Sequence, residues 1–136
     1  MRATTGGITM ARRTSIHVEG FRHMNPIPAA SRIGNLLVSG GIHGMDPATG
    51  KTAAALEDQL RFMFQHVRAV MAAAGGSPDD IIKMSVVMAD RALRPALNVE
   101  WLKMFPDEHS RPARHTTEGN LGPGMLVQCD IMAVID

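Results

Sequence analysis

Residues 125–135 carry apolar side chains on both faces of any strand they form. Successive side chains of an extended chain point to opposite sides. One side then holds Met125, Val127, Cys129, Ile131 and Ala133, and the other Leu126, Gln128, Asp130 and Met132. The first set demands a core. The second is too apolar for a sheet surface left in water. This run therefore predicts a long strand covered twice, by helices on one face and by another subunit on the other.

The helices are legible upstream. From Ala53 to Ala74, apolar residues recur at Leu56, Leu60, Met63, Val67 and Val70 or Met71. Steps of three and four mark one helix face. Gly75-Gly76 stops that helix. Ser77-Pro78-Asp79-Asp80 reads as a capped helical turn, with serine at the cap and proline first. Ile81–Met88 is apolar and predicts a strand. A second helix is predicted over Leu93–Phe105, with Leu97, Trp101 and Met104 on its apolar face. Pro95 is tolerated near its start and Pro106 ends it. Shorter strands are predicted at Ser15–Val18, Leu36–Ser39 and Ala113–Glu118. The order is strands, long helix, strand, helix, two strands, and no internal repeat is seen. It predicts an α+β fold, a mixed sheet with two helices packed on one face.

With 136 residues and 45% hydrophobic content, the chain is sized for one domain with a sufficient core. Residues 1–13 are small, polar and unpatterned. We read them as a disordered leader, with Met10 a candidate start, and residues 14–136 as a single domain. Fourteen Lys and Arg against thirteen Asp and Glu give a net charge of +1, which disfavours a polyanion partner such as nucleic acid. No apolar run reaches the roughly 18 residues of a membrane span. The single cysteine, Cys129, allows no intrachain disulfide and fits a reducing, cytoplasmic setting. Eleven methionines against four phenylalanines, one tryptophan and no tyrosine suggest that methionine fills the core.

Standard catalytic motifs are missing. There is no phosphate loop and no G-x-S-x-G elbow. The six histidines form no metal-ligand spacing, so no metal site is expected. Cys129, mid-strand among apolar neighbours, reads as a buried inert thiol. What stands out is Pro112-Ala113-Arg114-His115-Thr116-Thr117-Glu118. Arg114 shares a strand face with Thr116 and Glu118. Its guanidinium suits a bidentate carboxylate. From spacing alone, an ordinary ion pair with Glu118 or another acid is the better reading.

Several stretches together resemble the reactive-intermediate-deaminase (Rid, YjgF) family. They are Gly34-Asn35-Leu36-Leu37-Val38-Ser39-Gly40-Gly41-Ile42, Asp46-Pro47-Ala48-Thr49-Gly50, and Ala73-Ala74-Gly75-Gly76-Ser77-Pro78-Asp79-Asp80-Ile81-Ile82-Lys83. To these are added Asn98 ahead of Trp101 and Phe105, Pro112-Ala113-Arg114, and the closing Ile131-Met132-Ala133-Val134. The resemblance spans roughly residues 16–135.

The resemblance implies a chorismate-mutase-like fold and a homotrimer around a central β-barrel, with sites at subunit clefts. It implies hydrolysis of enamines and imines of small 2-amino acids to 2-keto acids and ammonia. Arg114 matches the arginine that grips the substrate carboxylate. Gly40 and Thr116 match positions lining the site, and Asn98 a nearby asparagine. Gln128 stands where deaminating members carry a glutamate that orients water. Asp130 aligns with a second acid and could substitute in part. Ile27 replaces a tyrosine, and His43 a common proline. The expected roles are catalytic for Arg114 and Gln128, and substrate-binding for Gly40, Ile27, Asn98, Thr116 and Asp130. No cofactor is expected, because an imine is already electrophilic. The leading function is a deaminase with a shifted substrate. A non-catalytic binder of small carboxylates follows, and an RNA-directed endoribonuclease comes last.

Overall fold

The computed structural model describes residues 11–136 and the strand pair Thr4–Thr5 (β1) and Ile8–Thr9 (β2). The rest of the expected leader up to Met10 lies outside the described residues. The larger sheet contains β3 (Thr14–Ile16), β4 (Ala30–Ile33), β5 (Leu36–Ser39), β6 (Ile42–His43), β7 (Ile81–Met88), β8 (Ala113–Glu118) and β9 (Val127–Val134). Two helices, α1 (Leu56–Ala73) and α2 (Arg94–Met104), cover one face. The order across the sheet is β3-β4-β5-β9-β7-β8, with β6 also on β9. All pairs are antiparallel except β7 with β8. That parallel pair needs a crossover, which α2 supplies. The expected mixed sheet with two helices on one face is thus observed.

α1 forms where the apolar period predicts it, and buries Leu60, Met63, Phe64, Val67, Val70 and Met71. It begins at Leu56 rather than Ala53. Thr52 is bridged to Met45, and the Ala53 N–H donates to the Gly44 carbonyl, so these residues are held extended. Gly75, at φ +84°, lets the chain leave the helix while Gly76 N–H returns to the Met71 carbonyl. Ser77 and Asp80 form a reciprocal capping box over the 3₁₀ turn Pro78–Asp80. α2 begins at Arg94 behind a 3₁₀ turn capped by Asp90, and buries Leu97, Trp101 and Met104. Five methionines (Met63, Met71, Met84, Met88 and Met104) lie in the core, the packing role expected of them.

Strand β9 runs from Val127 to Val134, shorter than expected, because Met125 and its Gly122 partner close a turn. Its alternation is as read. Val127, Cys129, Ile131 and Ala133 are buried under the helices, and Gln128, Asp130, Met132 and Val134 face away. On that open face Ile33, Leu36, Val38, Met132 and Val134 remain 39% to 48% exposed. β5 and β6 lie along the same edge of β9 and are interrupted by Gly40-Gly41. The Ser39 hydroxyl fills the break. It accepts from Ile131 N–H at 2.9 Å and donates to the Gly40 carbonyl at 2.8 Å.

One buried side chain ties helix to sheet. The Gln59 amide donates to the Ala53 and Gly124 carbonyls at 2.8 Å each, and its oxygen accepts from Leu126 N–H at 2.8 Å. Gly44 passes so close to Gln59 that a Cβ there would overlap the helix backbone. Gln59→Leu leaves two carbonyls and one N–H unpaired, at about 1–3 kcal/mol for each group. We expect a loss of about 3 kcal/mol or more, read as a lower urea midpoint with unchanged slope. A loss below about 1 kcal/mol would show that this tie is not needed.

Candidate functional site

Arg114 is the second residue of β8 and pairs with Met84 across the parallel ladder. Met84 faces the core, so Arg114 also points to the helix side. Its guanidinium carbon sits 4.9 Å from the centre of the Trp101 ring on α2. Trp101 is itself braced by Phe105, edge to face at 4.7 Å. A guanidinium over an indole face gains both dispersion and electrostatic attraction. Its Nη1 is buried and has no hydrogen-bond partner among the described residues. Burial, then the Arg94 cation, lowers its pKa from the ordinary value.

The ion pair with Glu118 expected from spacing does not form. The Glu118 carboxylate instead accepts from Arg91 N–H at 3.0 Å, and no acid pairs with Arg114 among the described residues. Four strand steps separate Arg114 from Glu118. At about 3.3 Å per residue that is roughly 13 Å, too far for contact. Thr116 lies between them on the same face, half-buried. Asn98 is exposed on α2, one turn before Trp101.

Gln128 lies on the other side of the sheet. It pairs with His43 on one edge and Val87 on the other, and Val87 faces away from the core. Its carboxamide lies across Gly41 so closely that a Cβ there would sit 2.9 Å from Nε2. A side chain at position 41 would push that carboxamide aside. Asp130 is two residues on, exposed, on the same face. Gly40 donates its N–H to the Ala29 carbonyl at 3.0 Å, next to the loop that carries Ile27. Ile27 is 49% exposed and lines a cavity of about 580 Å³ with Phe21, His23 and Pro28. The residues expected to act together thus form two groups. Arg114, Thr116 and Asn98 lie by α2, while Gln128 and Asp130 lie on the open face beside Gly40. One protomer does not bring Arg114 and Gln128 together.

Sequence reasoning missed a histidine cluster. His23, His43 and His66 surround the Phe21 ring at centroid distances of 5.2, 5.6 and 4.7 Å. His66 Nε2–H donates to the Met45 carbonyl at 2.6 Å, and His23 Nε2 bonds the Gly41 carbonyl at 2.7 Å. Since a carbonyl only accepts, His23 carries its proton on Nε2, leaving buried Nδ1 unpartnered. Burial lowers the His43 pKa, with further lowering from His23 and His66; burial also lowers that of His66, opposed by its bond to Met45. The three come from a loop, strand β6 and helix α1, so no spacing announced them. Trp101 was read as core alone, and its role as a platform for Arg114 was not. Cys129 is buried as expected, and burial and the Asp130 charge push its thiol far up. Among the described residues no His, Cys, Asp and Glu group is arranged to hold a metal ion, and no helix is long and apolar enough to cross a membrane.

A family model described as Endoribonuclease L-PSP matches residues 21–135. A RutC family protein of Pyrococcus horikoshii is 30% identical over 112 residues, 81% of this chain and 87% of that protein. Reactive Intermediate Deaminase A, chloroplastic, of Arabidopsis thaliana is 29% identical over 94 residues, 68% of this chain and 49% of the relative. Among solved structures, Escherichia coli TdcF with bound serine superposes with a TM-score of 0.83 at 25% identity, over 90% of this chain and 99% of TdcF. The chain belongs to the Rid (YjgF, L-PSP-type) family.

The histidine cluster predicts an acid-sensitive fold. Both depressed pKa values disfavour the cation in the folded state. The stability they contribute is complete above the ordinary value of 6.5 and is lost as pH falls below it. Thermal midpoints should fall between about pH 7 and pH 5. His66→Gln keeps a donor for Met45 and should flatten that slope. An unchanged slope in this variant and in His43→Gln would remove the cluster from the acid response.

Proposed function

We propose that this protein hydrolyses imines and enamines of small 2-amino acids to 2-keto acids and ammonia, at clefts between the subunits of a cytoplasmic homotrimer. The observation that carries this reading is the Arg114 guanidinium. It is stacked on Trp101, stripped of part of its water, and has a buried donor without a partner. Such a cation is costly unless an anion arrives, and a carboxylate matches its fork. The names of the relatives support the chemistry. The serine bound to TdcF supports a ligand of amino-acid size.

The opposed positions of Arg114 and Gln128 favour a shared cleft. A site using both needs the helix-side edge of one protomer beside the open face of another. The exposed apolar side chains Leu36, Val38, Met132 and Val134 suit such burial.

The reaction asks little of the protein. An enamine tautomerises to its imine. Water adds to the C=N bond, and the carbinolamine collapses to a ketone and ammonia. No cofactor is needed. Arg114 holds the carboxylate, and Thr116, Asn98 and the backbone at Gly40 frame the ligand. Gln128 can hydrogen-bond the water but cannot take its proton, since an amide has no useful basicity. Asp130, two residues along β9 on the same face, is the carboxylate proposed to accept the proton. Ile27 makes the Gly40 side apolar, which suits a substrate bulkier than 2-aminoacrylate. The missing carboxylate at Gln128 also favours a second reading, a carboxylate binder without turnover.

Two measurements separate these readings. Freshly generated 2-iminopropionate should yield pyruvate and ammonia above the spontaneous rate, and Gln128→Glu should raise that rate. Pyruvate binding without any such excess supports the binder. In either case Arg114→Ala should cost at least about tenfold in affinity or kcat/KM, since a charged hydrogen bond contributes about 1.5–3 kcal/mol. Arg114→Lys should restore only part of it. Undiminished binding in a folded Arg114→Ala protein would overturn both.

A further inference from the structure

Resting on the carboxylate-clamp reading of Arg114, we propose that Arg94 receives a second anionic group, so that the site selects imino acids carrying a second carboxylate. Strand β8 runs opposite to α2. Its Glu118 end is pinned at Arg91, and its Arg114 end lies on Trp101. Arg94, Asn98 and Trp101 follow one another at four and three residues along α2, on one stripe of the helix. Thr116 lies midway along the strand between the two anchored ends. Arg94 and Arg114 therefore lie at the two ends of one α2–β8 face, with an amide and a hydroxyl between them.

Glu118, at the Arg91 end of the strand, is the carboxylate on this side, and it bonds a backbone N–H rather than a guanidinium. Arg94 donates Nε–H to the Arg91 carbonyl at 3.1 Å, which holds its stem. The acids nearest in these elements are engaged elsewhere. Glu118 accepts from Arg91 N–H, and Glu100 pairs with Lys103 at 3.3 Å. Among the described residues neither Arg94 nor Arg114 has a salt-bridge partner. The two cations also feel each other, since Arg94 lowers the Arg114 pKa. Two neighbouring guanidiniums without an acid are a costly arrangement in an empty protein and a favourable one around a dianion.

A substrate with its 2-carboxylate on Arg114 would direct a side-chain carboxylate along this face towards Arg94. Hydrolysis would convert it to a dicarboxylic 2-keto acid, the water oxygen becoming the keto oxygen and the nitrogen leaving as ammonia. The reaction supplying it must release the imine of an acidic amino acid, as oxidation at the α-carbon does.

The test compares two five-carbon 2-keto acids, 2-ketoglutarate and 2-ketovalerate, which differ by carboxylate against methyl at one end. By calorimetric titration the wild type should prefer 2-ketoglutarate by roughly two- to fivefold, the worth of an exposed charge pair. Arg94→Ala should bring the ratio near one, and Arg94→Lys should keep part of it. A ratio near one in the wild type, or a preference that survives Arg94→Ala, would overturn the proposal. Arg114→Ala should weaken both ligands. If it weakens neither, or if the wild type binds neither, the underlying clamp fails instead.

Discussion

The register of β9 is the constraint on which the rest depends. It is the central strand, paired to β5 and β6 along one edge and to β7 along the other. A one-residue slip would exchange its two faces. Asp130 would then enter the core in place of Cys129 or Ile131, and the buried set would come out into water. Burial of an unpaired carboxylate costs more than any single contact here returns. The same register sets Gln128 opposite His43 and Val87. It leaves the gap between β5 and β6 where Ser39, Gly40 and Gly41 sit. The backbone break, the carboxamide over Gly41 and the open apolar face all follow from one alignment.

The α2 crossover makes the other half of the proposed site. Because β8 is parallel to β7, a helix must return over the sheet between them, and that helix brings Trp101 over Arg114. The strand edge keeps the guanidinium near the surface while the indole removes part of its water. The same arrangement leaves Arg114 on the face opposite Gln128. A protomer with both groups intact is therefore an incomplete site in the account given above.

Much of the fold was legible because its signals are local. Leu36–Ser39, Ile81–Met88 and Ala113–Glu118 appear with the expected bounds, and the apolar stripes of both helices face the core. β4 was not anticipated. Ala30-Ser31-Arg32-Ile33 has one large apolar residue and owes its pairing to the two-residue Gly34-Asn35 turn, with Gly34 at φ +55°. β6 is two residues long and exists by pairing with a distant strand. Arg114 stood out by its residue type and the resemblance, while the Glu118 ion pair expected from spacing does not form, because spacing along a strand says nothing of what a helix brings over it. The histidines around Phe21 and the placing of Arg94 and Arg114 on one α2–β8 face are tertiary arrangements, and no linear pattern encodes them.

Subunit complementation tests the central claim most directly. Arg114→Ala and Gln128→Leu chains, each inactive alone, would be unfolded and refolded together. A different affinity tag on each chain would select the mixed assemblies. If each cleft takes Arg114 from one subunit and Gln128 from its neighbour, some clefts in those assemblies regain both native residues. Imine hydrolysis should return there. Mixed assemblies as inactive as their parents, with both tags present, would contradict a site built across subunits.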